Sequence, residues 1–136
     1  MRTFWIIASL ILVWNLIGDA AYLAQVTADL DALARTDPIT ADAFRAMPTW
    51  AWSAYAIAVW GGTAAAIALL MRRKLAQVLF AISLAGVIVQ FGWSFLGYDL
   101  IAKKGAGTMA FPLVIVAIAL ASLLYARRKA ADGTLR

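Results

Sequence analysis

The stretch Phe4 to Val26, FWIIASLILVWNLIGDAAYLAQV, decides the fold. It holds 23 residues and a single charge, Asp19. As a helix it would be about 34 Å long, enough to cross the roughly 30 Å of hydrocarbon in a bilayer. Such a run in lipid must satisfy its own backbone hydrogen bonds, and an α-helix does so within one segment. A membrane β-barrel would need strict alternation, and runs such as Ala64–Met71 are apolar at every position. A cleaved leader is the rival reading of this N-terminal run. The apolar stretch is longer than a leader's core, and Asn15 and Asp19 fall where processing would be expected, so a retained span is the reading adopted.

Three further runs follow the same logic. The expected spans are 4–26, 49–71, 75–101 and 109–126, with an external segment at 27–48, in a single membrane domain covering 1–136. The whole chain agrees: 65% of its residues are hydrophobic, 14% are charged, and the mean hydropathy is +0.85. A soluble domain carries about a quarter charged residues. The fold class expected is therefore an all-α membrane protein, a four-transmembrane-helix bundle with a short amphipathic cap outside.

The basic residues write the orientation. Arg2, Arg72, Arg73, Lys74, Arg127, Arg128, Lys129 and Arg136 flank one side of the spans, which makes eight. Arg35, Arg45, Lys103 and Lys104 flank the other, which makes four. The richer side is expected in the cytoplasm, with both termini there. Once these positions are assigned to span ends, no basic face remains for nucleic acid. The lipid bilayer is the expected partner.

The external segment carries Asp29, Asp31, Asp37 and Asp42 against Arg35 and Arg45. Its apolar positions Leu30, Leu33, Ile39, Phe44 and Met47 suggest short amphipathic turns lying on the outer surface, with a solvated loop as the alternative. Asp37-Pro38 should break any helix, and Thr40 is the expected N-cap of a short helix ending before Pro48.

Within the first run, WNLIGD (14–19) is echoed by WSFLGYD (93–99), with Trp14 and Trp93, and Gly18 and Gly97, each 79 residues apart. Two parallel helical-hairpin repeats would produce this echo, and so would chance reuse of few letters. Asn15, Asp19 and Tyr22 follow i, i+4, i+7 on one helical stripe, and Ser83, Gln90, Ser94 and Tyr98 do the same in the third span. Both stripes are expected to face the interior, with Ala51, Ala54, Ala58, Gly61 and Ala65 giving the second span a close-packing face. An intramembrane carboxylate at Asp19 needs a partner, water or a proton. A structural bond to Ser94, Gln90 or Tyr98 is one reading, and a solute- or proton-handling role is the other. Trp5, Trp50 and Trp52 fit an interfacial belt. Trp14, Trp60 and Trp93 lie deeper, either lining a cavity or filling space between helices.

These residues resemble a group of small four-span bacterial inner-membrane proteins that often carry the label "sugar transporter". The matching features are Trp14-Asn15 with Gly18 and Tyr22, Pro48 before Trp50, Val59-Trp60-Gly61-Gly62, Leu69 to Ala76, Ser83-Leu84, and Gly133-Thr134-Leu135-Arg136. The resemblance implies a bacterial inner (plasma) membrane and a sugar-like solute.

Two functions follow. One is a transporter or channel subunit, with Asn15, Asp19, Tyr22, Gln90, Trp93, Ser94 and Tyr98 as the candidate substrate-binding residues. The other is a non-catalytic accessory subunit docking on a larger membrane complex through the small-residue stripe and the cap. A homodimer or such a complex is the expected assembly. An enzyme is not expected: the chain has no His, no Cys and no Glu, and no nucleophile–base spacing stands out among Asp, Tyr, Ser and Lys. The same absences remove histidine-ligated haem and zinc, and no metal or cofactor is expected.

Overall fold

Backbone groups that cannot reach water close on themselves, and the described residues are helical nearly throughout. The computed structural model describes residues 2–93 and 110–136. Its helices are α1 (Arg2–Val26), α2 (Leu30–Thr36), α3 (Pro38–Ala46), α4 (Thr49–Leu70), α5 (Leu75–Gly92) and α6 (Ala110–Ala131), with no strand among the described residues. Three of them, α1, α4 and α5, are long and apolar enough to cross a membrane. The described part of the third run thus ends near Gly92. Its expected continuation to Ile101 lies outside the described residues, as do the second copy of the repeated phrase after Trp93 and the pair Lys103 and Lys104.

The helix boundaries have local causes. Asp29 caps α2 by accepting hydrogen bonds from the backbone amides of Asp31 and Ala32 at 3.1 and 3.2 Å. Asp37 caps α3: its carboxylate accepts from the Thr40 amide at 3.2 Å and from the Thr40 hydroxyl at 2.6 Å. The break at Asp37-Pro38 is as expected, but Thr40 is not the cap. Proline already has the φ of a first helical turn and needs no amide there, so α3 begins at Pro38 and the acidic residue before it takes the capping role. Arg45 reaches back to Asp31 at 2.6 Å and ties α3 to α2. Both partners are exposed, so this pair contributes at most about 1 kcal/mol. Ala41, Ala43 and Met47 are buried, so α3 packs inward rather than forming a solvated loop.

Helix α4 is the centre of the packing, with α1 on one side and α5 on the other, and α6 follows against α5. Its small residues make this arrangement workable. Ala51, Ala54, Ala58, Gly62 and Ala65 are all buried, and a Cβ on Gly86 of α5 would lie 2.7 Å from the Ala54 carbonyl oxygen. In lipid no hydrophobic transfer drives helices together, so close backbone approach and dispersion carry the association. The expected Gly61 faces the α5 backbone, where an added Cβ would lie 3.8 Å from the Ser83 Cα, and Gly62 beside it lies buried against α1 and α5. A Cβ added there would collide with the Asn15 amide oxygen, and Asn15 projects from α1.

The basic end is sealed. Phe4 stacks on Tyr125 at 6.4 Å and 15° and joins Leu69, Phe80, Ala126 and Leu135 in one buried cluster. Leu135 arrives there on a tail that runs along the α4–α5 turn. The Arg136 amide donates to the Arg72 carbonyl at 2.7 Å, and the Lys74 amide donates to the Arg136 carbonyl at 3.0 Å. The Arg72 guanidinium adds a bond to the Thr134 carbonyl at 3.0 Å. At the base of this tail, hydrogen bonds from the Thr134 hydroxyl and amide hold the Asp132 carboxyl below its usual range. A depressed carboxyl stabilises the turn above its unfolded value of about 3.9, and the contribution is lost as pH falls through the lower folded value. The Thr134 amide resonance is therefore expected to titrate with a midpoint below about 3.9, and Thr134→Ala to move the Asp132 midpoint back up.

The outer faces of the long helices stay apolar. Leu10 is 63% exposed, and Ile67 and Leu120 are exposed in the same way on α4 and α6. Continuous apolar surface of this extent does not suit contact with water.

Candidate functional site

The interior between α1, α4, α5 and α6 holds a cavity of about 330 Å³. This is at the small end of the roughly 300–1,000 Å³ typical of ligand pockets. Each long helix contributes polar groups to an otherwise aliphatic and aromatic wall: Asn15 and Gln25 from α1, Tyr55 from α4, Ser83 and Gln90 from α5, and Ser122 from α6. Trp14, Phe44 and Phe91 supply aromatic faces. No charged side chain is among the described lining residues.

Several of these polar groups are partly committed to their own helices. The Asn15 amide donates to the Ile11 carbonyl at 2.8 Å, leaving its oxygen toward Gly62. The Ser122 hydroxyl donates to the Ile118 carbonyl at 2.8 Å, and Ser83 donates to the Ala58 carbonyl of α4. Gln90 is half-buried, with its amide nitrogen 3.9 Å from the Met47 sulfur. Phe44 brings α3 over this wall, so the external segment forms part of the cavity lining.

The expected stripe Asn15, Asp19, Tyr22 divides into three environments. Asn15 lines the cavity. Tyr22 stands in an aromatic cluster, 5.0 Å from Tyr55 and 6.5 Å from Trp52 between ring centroids, with Trp52 stacked on Tyr55. Asp19 is buried at 4% exposure and does not line the cavity. Its Oδ2 is bonded to the Thr63 hydroxyl of α4, and its Oδ1 has no hydrogen-bond partner among the described residues.

The partner expected for Asp19 was on the third span, and the structure places it on the second. Antiparallel α1 and α4 are direct neighbours, and helical side chains lean toward their own N-termini. Asp19 therefore leans back along α1 while Thr63 leans back along α4, and the two meet across an axial offset. Of the other candidates, Gln90 lines the cavity, and Trp93 is half-buried at the end of α5 and is not in the wall. Ser94 and Tyr98 lie outside the described residues. Among the deep tryptophans, Trp14 lines the cavity, whereas Trp60 is exposed on the outer surface.

Gln25, Tyr55, Thr63 and Ser122 were not anticipated as site residues. Thr63 and Ser122 had a signal: each is an isolated hydroxyl in a run of Ala, Ile and Leu. No group of three or more Asp, Glu, His or Cys that would hold a metal ion occurs among the described residues. No family model, curated protein or solved structure matches this chain.

Proposed function

We propose that this chain is a four-span protein of a bacterial inner membrane, with both termini cytoplasmic, and that its cavity takes a small neutral solute as part of a transporter or channel. The observation that carries the reading is the wall of that cavity: amide and hydroxyl groups from four helices, aromatic faces, and no charge among the described lining residues. An ion entering such a wall would lose its hydration without a counter-charge, while a hydroxylated or amide-bearing solute would find partners. Helix α6 supports a fourth span, since its 22 residues make about 33 Å and its last turn carries Arg128 and Lys129. A sugar-like solute rests on the resemblance noted above. The accessory-subunit reading loses support, because the small residues of α4 it would use for docking are packed within the chain.

Uptake of a panel of uncharged sugars and polyols into proteoliposomes tests the proposal. Transport of at least one of them by the wild-type chain is expected. Asn15→Ala and Gln90→Ala should each reduce its apparent affinity about three- to tenfold, the worth of one hydrogen bond. Absence of both binding and uptake across the panel would overturn the reading.

A further inference from the structure

The Asp19–Thr63 pair has an unexplained hydrogen inventory. Thr63 Oγ1 sits within hydrogen-bond reach of two acceptors, Asp19 Oδ2 and the Val59 carbonyl oxygen, the latter at 3.1 Å. A hydroxyl has one hydrogen to donate. If Asp19 is ionised, the two acceptor oxygens compete for that single hydrogen. If Asp19 is a carboxylic acid, the count closes: its Oδ2–H donates to Thr63 Oγ1, and the Thr63 hydroxyl donates to Val59.

Two further observations agree. The Oδ1 atom is buried without a partner among the described residues, which costs far less for the carbonyl oxygen of a neutral acid than for a carboxylate oxygen. Among the described residues no base faces the site either. The other titratable groups on α1 are Arg2 at its opposite end and Tyr22, and the helix packed against it, α4, offers only Tyr55. Tyr22 and Tyr55 are turned toward each other in the aromatic cluster.

We propose that Asp19 and Thr63 form a proton-binding site between α1 and α4, separate from the cavity, which holds one proton on Asp19 at neutral pH. The site is two-state. When α1 and α4 part, the proton passes from Oδ2 to water, and the Thr63 hydroxyl keeps its bond to the Val59 carbonyl of its own helix. When they close, the proton is taken up again. Gly18 and Ala21 flank this part of α1 and line the cavity, so a movement of α1 that opens the cavity also wets Asp19. The proton site stands whatever the cavity takes.

Infrared difference spectroscopy reads the site directly. All seven acidic side chains of the chain are Asp, which limits the bands to assign. In maltoside micelles, which contain no carbonyl, the full chain at pH 7 should show a carboxylic-acid C=O band. That band is absent in Asp19→Asn, and in Thr63→Val it persists but moves to higher frequency, because the acid has lost its acceptor. Asp19→Asn should keep the helical circular dichroism of the parent. The proposal is overturned if the folded parent shows no acid band at pH 7, if the band survives Asp19→Asn, or if Thr63→Val leaves its frequency unchanged.

Discussion

Gly86→Ala is expected to lower the stability of the helical body by about 1–3 kcal/mol, the usual range for overpacking a close contact. The added methyl would stand 2.7 Å from the Ala54 carbonyl oxygen and 3.0 Å from the Ala58 amide nitrogen. Both are backbone atoms of α4, so no side chain can swing aside. The two helices must separate. Separation also draws Ser83 away from the Ala58 carbonyl, and the Ser83 hydroxyl is buried with that bond. Gly92→Ala, on the same helix, is the control, since no atom of the described residues lies within 4 Å of its added methyl. It should be neutral or stabilising by up to about 1 kcal/mol through helix propensity. Thermal melts in detergent, with the two variants side by side, separate contact from propensity. Equal destabilisation by both would mean that α4 and α5 do not meet as described.

Thr63→Val is the second large effect, with an expected loss of about 1–3 kcal/mol, the cost of leaving a buried polar group without a partner. The substitution nearly preserves shape and removes the one hydrogen-bond partner that Asp19 has among the described residues. Because the loss arises from Asp19, it should vanish when Asp19 is also removed. The double variant Asp19→Leu, Thr63→Val should be no less stable than Thr63→Val alone. A double-mutant cycle in detergent measures this coupling. Purely additive losses would mean that the two side chains do not interact.

Much of the fold was legible because it depends on local chemistry. Pro48 before Thr49, and the Arg72-Arg73-Lys74 cluster before Leu75, mark where α4 and α5 begin, and the Asp37-Pro38 break was readable from the missing amide of proline. What could not be read was which faces meet. Helices such as α4 and α5 are apolar all round, so no hydrophobic stripe shows which side is inward. The polar residues were the only markers, and they mislead when a neighbour's hydroxyl is overlooked. Asp19 was matched to the polar third span because Thr63 sits alone among alanines. Asn15 and Gln90 were legible as interior residues because an amide in lipid is costly wherever it is not enclosed.

The central claim is that lipid covers the outer faces of these helices while the polar groups gather inside. The absence of native cysteine allows single cysteines to carry nitroxide labels without background. Labels at Leu10, Ile67 and Leu120, all on exposed apolar surface, should in vesicles collide readily with dissolved oxygen and scarcely at all with a water-soluble nickel chelate. Strong collision with the nickel chelate at these three positions would contradict the account.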